Sequence, residues 1–441
     1  MTLHLKRAAV GLTAGLLATA LTGCDSFFDP VTDDVIDPSN LTSPAAIATL
    51  LNGARRDFAL AYVGAGDDSQ EGSILIGGLV ADEYDNSDTF PTRQEMDRRD
   101  MDVKNASLIG AYGNLHRARV AADNTAAQAR SLTPNDKDTI GEADVLSATT
   151  VVIFADNYCS GVPLSSLSGS QLVYGEPQTT VQLYSAAAAK FAGVVALAPT
   201  SSTVLNAARV GQGRALLGLG RFADAAIAVA AVPTNFAYTT FHSEVTGIVT
   251  NGIWGFVNFL NRWSVSPGTG GGLDFATAND PRVPVEDTGG TGFDAFTPQF
   301  NQELFPTRTS PVPIATGIEA RLIQAEAALQ AGNSGGALSM LNDLRATVPG
   351  LAPLADAGSA AARVDQLFSE RAFWLFSTGR RLGDLRRLIR QYGRTPDSVF
   401  PSGDYYKGGE YGPDVNIPIS FEERNNPNVG AQGPECLDRN P

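Results

Sequence analysis

The sequence predicts a mainly α protein: helical hairpins packed into a scaffold, with a loop-rich insertion containing short strands. Three observations lead there. Apolar residues recur at helical spacing in one segment after another, most of them closed by Pro, Gly or Asn. A small-residue pattern, Ala-x4-Gly-x4-Ala, occurs twice where two such segments meet, at Ala215, Gly220, Ala225 and at Ala327, Gly332, Ala337. Between 234 and 313 the periodicity stops, and Gly, Pro, Asn, Asp and aromatic residues take over.

The chain begins with Lys6 and Arg7, followed by an apolar run from Ala8 to Leu21 that Gly11, Thr13 and Gly15 interrupt. That is the charged start and short apolar stretch of an export signal, and it is shorter than a membrane span requires. It ends in Leu21-Thr22-Gly23-Cys24, which resembles a bacterial lipobox. The resemblance implies cleavage before Cys24 and a lipid anchor on its thiol, each buried CH₂ adding about 0.8 kcal/mol. An ordinary secretory signal with an incidental Cys is the alternative. Residues 1–23 are then signal peptide, 24–40 a polar tether containing Pro30 and Pro38, and 41–441 a single domain. No later segment reads as apolar enough to span a bilayer.

Within 41–233 the expected helices start at Ser43-Pro44, where Ile47, Leu50, Leu51, Ala54 and Phe58 keep helical spacing. They continue over Ala106–Arg130, Asp136–Asn157, Thr180–Leu197, Val204–Leu219 and Phe222–Val232. The insertion, 234–313, includes the flexible run Ser266-Pro267-Gly268-Thr269-Gly270-Gly271-Gly272. Helices return in 314–392 at Ile318–Gln330, Gly335–Ala346 and Val364–Ile389, and 393–441 is a Pro- and Gly-rich extended tail.

The formal net charge is −15, becoming −17 if Lys6 and Arg7 leave with the signal. Such an acidic chain lacks the clustered basic residues that nucleic acid requires, and neutral ligands are unaffected. With Cys24 lipidated, Cys159 and Cys436 remain as a possible disulfide in an oxidising compartment; two free thiols are the alternative. His116 and His242 have no Cys or His at ligand spacing, so neither a metal site nor a cofactor is expected. No nucleophile elbow or phosphate-cradling loop is present, and nothing local pairs two carboxylates.

The repeated Ala-Gly-Ala pattern is the core of a tetratricopeptide-type helical hairpin, and Gly213, Phe222 and Pro233 also fit it. Further along stand Asn279-Asp280-Pro281-Arg282, Arg321-Leu322-x2-Ala325-Glu326-Ala327 and Leu341-Asn342-x-Leu344-Arg345. Glu370-Arg371 follows, then Gly379-Arg380-Arg381-x2-Asp384-Leu385-Arg386-Arg387, Ile417-Pro418-Ile419 and Asn425-Asn426-Pro427-Asn428. In that order, behind a lipoprotein start, these features resemble the SusD/RagB family of outer-membrane nutrient-binding lipoproteins across nearly the whole mature chain. The resemblance implies a surface lipoprotein, not an enzyme, that binds an oligosaccharide or other polymer fragment. It also implies delivery to a TonB-dependent, SusC-like outer-membrane barrel.

Sugar rings stack on aromatic faces while their hydroxyls need polar partners. That points to Trp263 and Trp254 in the insertion, and to Tyr84 with Asp82 and Asn86, as ligand-binding candidates. Trp374 reads as core, and Tyr405, Tyr406 and Tyr411 as packing or partner surface. The charges from Glu370 to Arg386 read as an ion-pair network, for example Arg380 with Asp384 at i,i+4. Two other functions stay open: a tetratricopeptide-type protein-interaction scaffold, and a surface hydrolase.

Overall fold

The computed structural model describes residues 43–168, 171–429 and Cys436. The export signal, Cys24 and the tether lie outside the described residues. Residues from Ile47 onward form one compact unit.

Twelve α-helices carry the architecture among the described residues: α1 (Ile47–Val63), α2 (Ser73–Val80), α3 (Pro91–Asp97), α4 (Ala106–Leu132), α5 (Lys137–Asn157), α6 (Thr180–Leu197), α7 (Ser202–Gly218), α8 (Phe222–Val229), α9 (Gly317–Gln330), α10 (Ser334–Arg345), α11 (Ala360–Trp374) and α12 (Arg381–Tyr392). From α4 to α10 each helix packs on the next along the chain, and α1 packs on α4. That is the serial packing of a helical-repeat scaffold, in which short connections make neighbours antiparallel. Starts are capped where the sequence offers an oxygen: Thr179 and Gln182 form a reciprocal box at α6, and Ser201, Thr316, Asn333 and Ser359 cap α7, α9, α10 and α11.

The two repeated patterns have the same physical basis. Gly220 and Gly332 take φ of +70° and +79°, the left-handed region that ends one helix and turns into the next. Ala215, Ala225, Ala327 and Ala337 are buried at the crossings. A Cβ on Gly213 would come within 2.5 Å of Val229 Cγ1, so only glycine permits the α7–α8 approach.

Two expectations change. The helix expected over Val364–Ile389 is two helices, parted where Ser377 and Gly379 adopt φ of +57° and +68°. Ser377 is held there by long-range partners: Glu83 Oε1 accepts from its N–H at 2.8 Å, and its Oγ meets Tyr84 Oη at 2.6 Å. In addition, α6, with mean hydropathy 1.3, is long and apolar enough by length and composition to cross a bilayer. Its apolarity serves packing instead: it lies between α5 and α7 with Leu183, Tyr184, Phe191 and Val194 buried.

The insertion is framed by two-stranded antiparallel sheets. β6 (Ala237–Thr239) pairs with β10 (Pro313–Thr316) and closes its neck. β1 (Tyr84–Asn86) pairs with β7 (Trp263–Val265), Asn86 opposite Trp263, and ties the insertion to the segment after α2. β8 (Val285–Thr291) and β9 (Pro298–Gln302) form a hairpin. Two minor pairs complete the set, β2 (Val162–Pro163) with β5 (Pro177–Gln178) and β3 (Ser166–Ser168) with β4 (Gln171–Val173). The tail is held by backbone bonds, Cys159 N–H to Ile417 O at 2.9 Å and Ile417 N–H to Asn157 O at 2.8 Å, and by a disulfide joining Cys159 to Cys436 with Cα atoms 5.6 Å apart.

Many of the buried charges are paired. Arg371 forks onto Asp384, Arg387 onto Glu326 and Arg214 onto Glu319, all at 2.6–2.9 Å. Arg282 grips Asp280 and donates to Glu370 at 2.7 Å, and Arg345 takes the other Glu370 oxygen at 2.6 Å. This chain links the insertion to α10 and α11. The expected Arg380–Asp384 pair is replaced: Arg371 and Arg387 occupy the Asp384 carboxylate, and Arg380 reaches Tyr62 Oη at 3.2 Å.

Candidate functional site

The expected ligand residues divide sharply. Trp263 is fully buried, its Nε1–H on Leu75 O and its ring meeting Phe256 edge-on at 4.7 Å. Tyr84 is buried against Phe376 and Ser377. Asp82 is buried in a two-point fork from Arg381, both bonds 2.6 Å, and accepts from Leu273 N–H at 2.9 Å. Asn86 is buried, accepting from Asp88 N–H at 3.0 Å. These four therefore brace the joint between β1, β7 and α12, and the expectation that they face a ligand is corrected. The reason is the β1–β7 pairing, which turns a polar-looking segment into an interior strand.

Trp254 differs. It opens a π-helical turn (Trp254–Phe259) whose signature is the Leu260 N–H bond to Gly255 O at 2.9 Å. Five residues apart on an α-helix, two rings would point roughly 140° apart. The wider turn brings Trp254 and Phe259 onto one face, stacked 14° from parallel with centroids 5.1 Å apart. The Arg308 guanidinium lies 5.2 Å and 5.4 Å from the two rings. Asn251 Oδ1 caps the turn at Trp254 N–H, 3.0 Å away.

A second aromatic group is built from phenylalanines, outside the Trp and Tyr residues that the sequence points to. Phe90, Phe293 and Phe296, with Phe259, are each between 45% and 62% exposed. Phe90 precedes Pro91 at the first turn of α3, and Phe293 and Phe296 sit at the tip of the β8–β9 hairpin. The Arg262 guanidinium stands between Phe293, 4.1 Å from its centroid, and Phe90, 5.2 Å from its centroid. The signal in the sequence was four exposed-type phenylalanines set among Asp, Asn, Gly and Pro, where no helical or strand period asks for an apolar residue.

Ion pairs fix this surface from beneath. Arg262 donates to both Asp88 oxygens at 2.9 and 3.0 Å and pairs with Asp68 at 2.9 Å. Arg93, itself buried, bonds Glu71 at 2.8 Å and also holds Asp68 and Asp88. Burial opposes ionisation of Asp88, but the two guanidiniums hold its carboxyl below the ordinary range. At the hairpin tip Asp294 accepts from Phe296 and Thr297 N–H, both 2.9 Å, and from Lys407 at 2.7 Å. Those bonds outweigh burial and keep it ionised too.

Other titratable groups are turned inward. Burial pushes Glu83 up to about 8 and Asp85 to about 7, the latter with help from the Asp97 charge. Asp97 rises to about 6 through burial, although the hydroxyls of Tyr406 and Tyr405 both donate to it. All three are almost fully buried, so they hold loops and do not face a substrate. His116 and His242 are kept neutral by burial, His242 meeting Thr240 Oγ1 at 2.8 Å. Among the described residues no three His, Cys, Asp or Glu side chains are grouped to hold a metal ion.

Fold and site together define a helical-repeat scaffold that displays a rigid, exposed aromatic surface on its insertion. No family model matches the sequence, and no curated protein matches it. Among solved structures, the chain is similar to a SusD superfamily protein from Bacteroides fragilis, at 15% identity and TM-score 0.66 over 87% of this chain and 97% of that one. It is also similar to surface glycan-binding protein A from Bacteroides uniformis, at 16% identity and TM-score 0.64 over 88% and 98%. A SusD-like carbohydrate binding protein from Bacteroides vulgatus aligns at 14% identity and TM-score 0.59 over 78% and 83%. The chain shares its fold with these three solved structures.

Proposed function

We propose that the protein captures glycan fragments on the aromatic surface of its insertion and passes them to a TonB-dependent, SusC-like outer-membrane barrel. In this reading it is held at the cell surface by a lipid on Cys24. The observation that carries it is the Arg262 guanidinium clamped between Phe90 and Phe293, with Phe296 and Phe259 also open to solvent. Apolar rings left in water on a rigid frame fit the C–H faces of sugars. The printed names of two solved structures with this fold, a surface glycan-binding protein and a carbohydrate binding protein, support the ligand class. The protein acts as a binder, without bond-breaking chemistry.

The test is calorimetric titration of the mature protein with a panel of oligosaccharides, repeated with Phe293→Ala and Phe90→Ala. Saturable binding to one glycan class, weakened about tenfold by either variant, is expected. Binding that survives both changes would remove the site. Delivery is tested by mild-detergent capture from native membranes, where a large TonB-dependent barrel should co-purify at near-equal amounts.

A further inference from the structure

A separate cavity of about 690 Å³ opens between α1, α5 and the loop that follows β6, and it shares no residue with the aromatic surface. Its size falls in the range of sites for single small molecules, about 300–1,000 Å³. Phe58, Leu146 and Ile314, all buried, form its apolar floor. Phe241 stands at its rim 80% exposed, an aromatic ring left in water beside an apolar hollow.

The polar part of the wall is small and ordered. Arg55 Nε and Nη2 donate to Glu142 Oε1 and Oε2 at 2.7 and 2.6 Å, and Nη1 donates to Asn52 Oδ1 at 3.0 Å. Tyr238 Oη donates to Glu142 Oε1 at 3.0 Å. Three bonds therefore fix the guanidinium, which lines the cavity along with the Tyr238 and Phe241 rings, a lining that suits a planar aromatic partner. Two features set the polar group of that partner. Glu142 Oε2 receives one donor and retains acceptor capacity, and Arg55 retains N–H groups beyond the three engaged. A hydroxyl satisfies both at once, giving its proton to Glu142 and accepting from Arg55. A carboxylate has no proton to give and would meet the Glu142 charge.

We propose that this cavity binds a phenolic aromatic molecule, its ring between Tyr238, Phe241 and the Arg55 plane and its hydroxyl on the Arg55–Glu142 pair. This site is independent of the glycan surface.

The probe is 4-methylumbelliferone, a fluorescent phenol, titrated into the mature protein under mildly acidic conditions that keep its hydroxyl protonated. One saturable equivalent is expected. The 7-methoxy analogue, which has no proton to donate, should bind about tenfold more weakly. Phe241→Ala, a change at an exposed position, should weaken the phenol about tenfold with an unchanged melting temperature, and Ala59→Trp should fill the cavity and abolish binding. Equal affinity for the methoxy analogue would overturn the hydroxyl assignment. Binding that is non-saturable, or that Phe241→Ala leaves intact, would overturn the site.

Discussion

Glu326 on α9 and Arg387 on α12 face each other as a two-point fork, Oε1 to Nη1 at 2.7 Å and Oε2 to Nη2 at 2.9 Å, with almost no solvent on either side chain. Tyr392 Oη adds a third bond to Glu326 at 2.6 Å. Removing Glu326 leaves two buried guanidiniums, Arg371 and Arg387, sharing the single Asp384 carboxylate. Glu326→Ala should therefore cost about 3–5 kcal/mol of stability, measured by urea unfolding. A loss near zero would mean that water reaches this pair.

Trp263 and Phe293 should separate stability from binding. Trp263→Ala opens a cavity beside Phe256 and Arg93 and should cost about 3–5 kcal/mol in unfolding free energy. Phe293→Ala removes an exposed ring and should change stability by less than about 1 kcal/mol while lowering glycan affinity. If Trp263→Ala folds as stably as the parent yet loses only affinity, the assignment of Trp263 to the frame is wrong.

The pair Asp85 and Asp97 predicts a pH dependence. Burial, with the Asp97 charge adding to it, pushes Asp85 up to about 7, whereas in the unfolded chain it ionises near 4, the approximate free value. A carboxyl with a raised folded pKa contributes stability that is intact below about pH 4 and lost as pH rises through about 7. The wild type should thus lose ground to Asp85→Asn between about pH 5 and pH 8, the amide keeping an acceptor for Thr269 Oγ1. His242, pushed down to about 4 by burial, works in the opposite direction in both proteins and cancels in the comparison. Melting curves of the two proteins at both pH values decide it; a constant gap would contradict the assignment.

Opening the Cys159–Cys436 bridge should be costly but local. Cys436→Ser is expected to lower stability by about 2–4 kcal/mol. The backbone bonds of Ile417 to Cys159 and Asn157 should keep the tail docked. Limited proteolysis should then spare the segment around Ile417. Alkylation of the unreduced wild type should label neither cysteine.

Legibility followed the range of the interactions involved. The hairpins around Gly220 and Gly332 could be read because a left-handed glycine between two periodic segments is a local signal. The break between α11 and α12 could not be read, since Ser377 is held by Glu83 and Tyr84 from nearly three hundred residues away. The Asp82–Asn86 segment reads as polar and open because its main partners, Arg381 and Trp263, are distant in the chain. The stacked Trp254 and Phe259 needed a π turn that no 3.6-residue pattern foretells.

By itself the sequence determined that the chain is a helical-repeat scaffold with an irregular insertion, because helix period, Pro and Gly punctuation and turn glycines act over a few residues. Which aromatic rings are open to a ligand was decided only by the tertiary structure. Burial belongs to a ring's neighbours: the β1–β7 pairing closes over Trp263, while the ion pairs beneath Arg262 hold Phe90 and Phe293 at the surface.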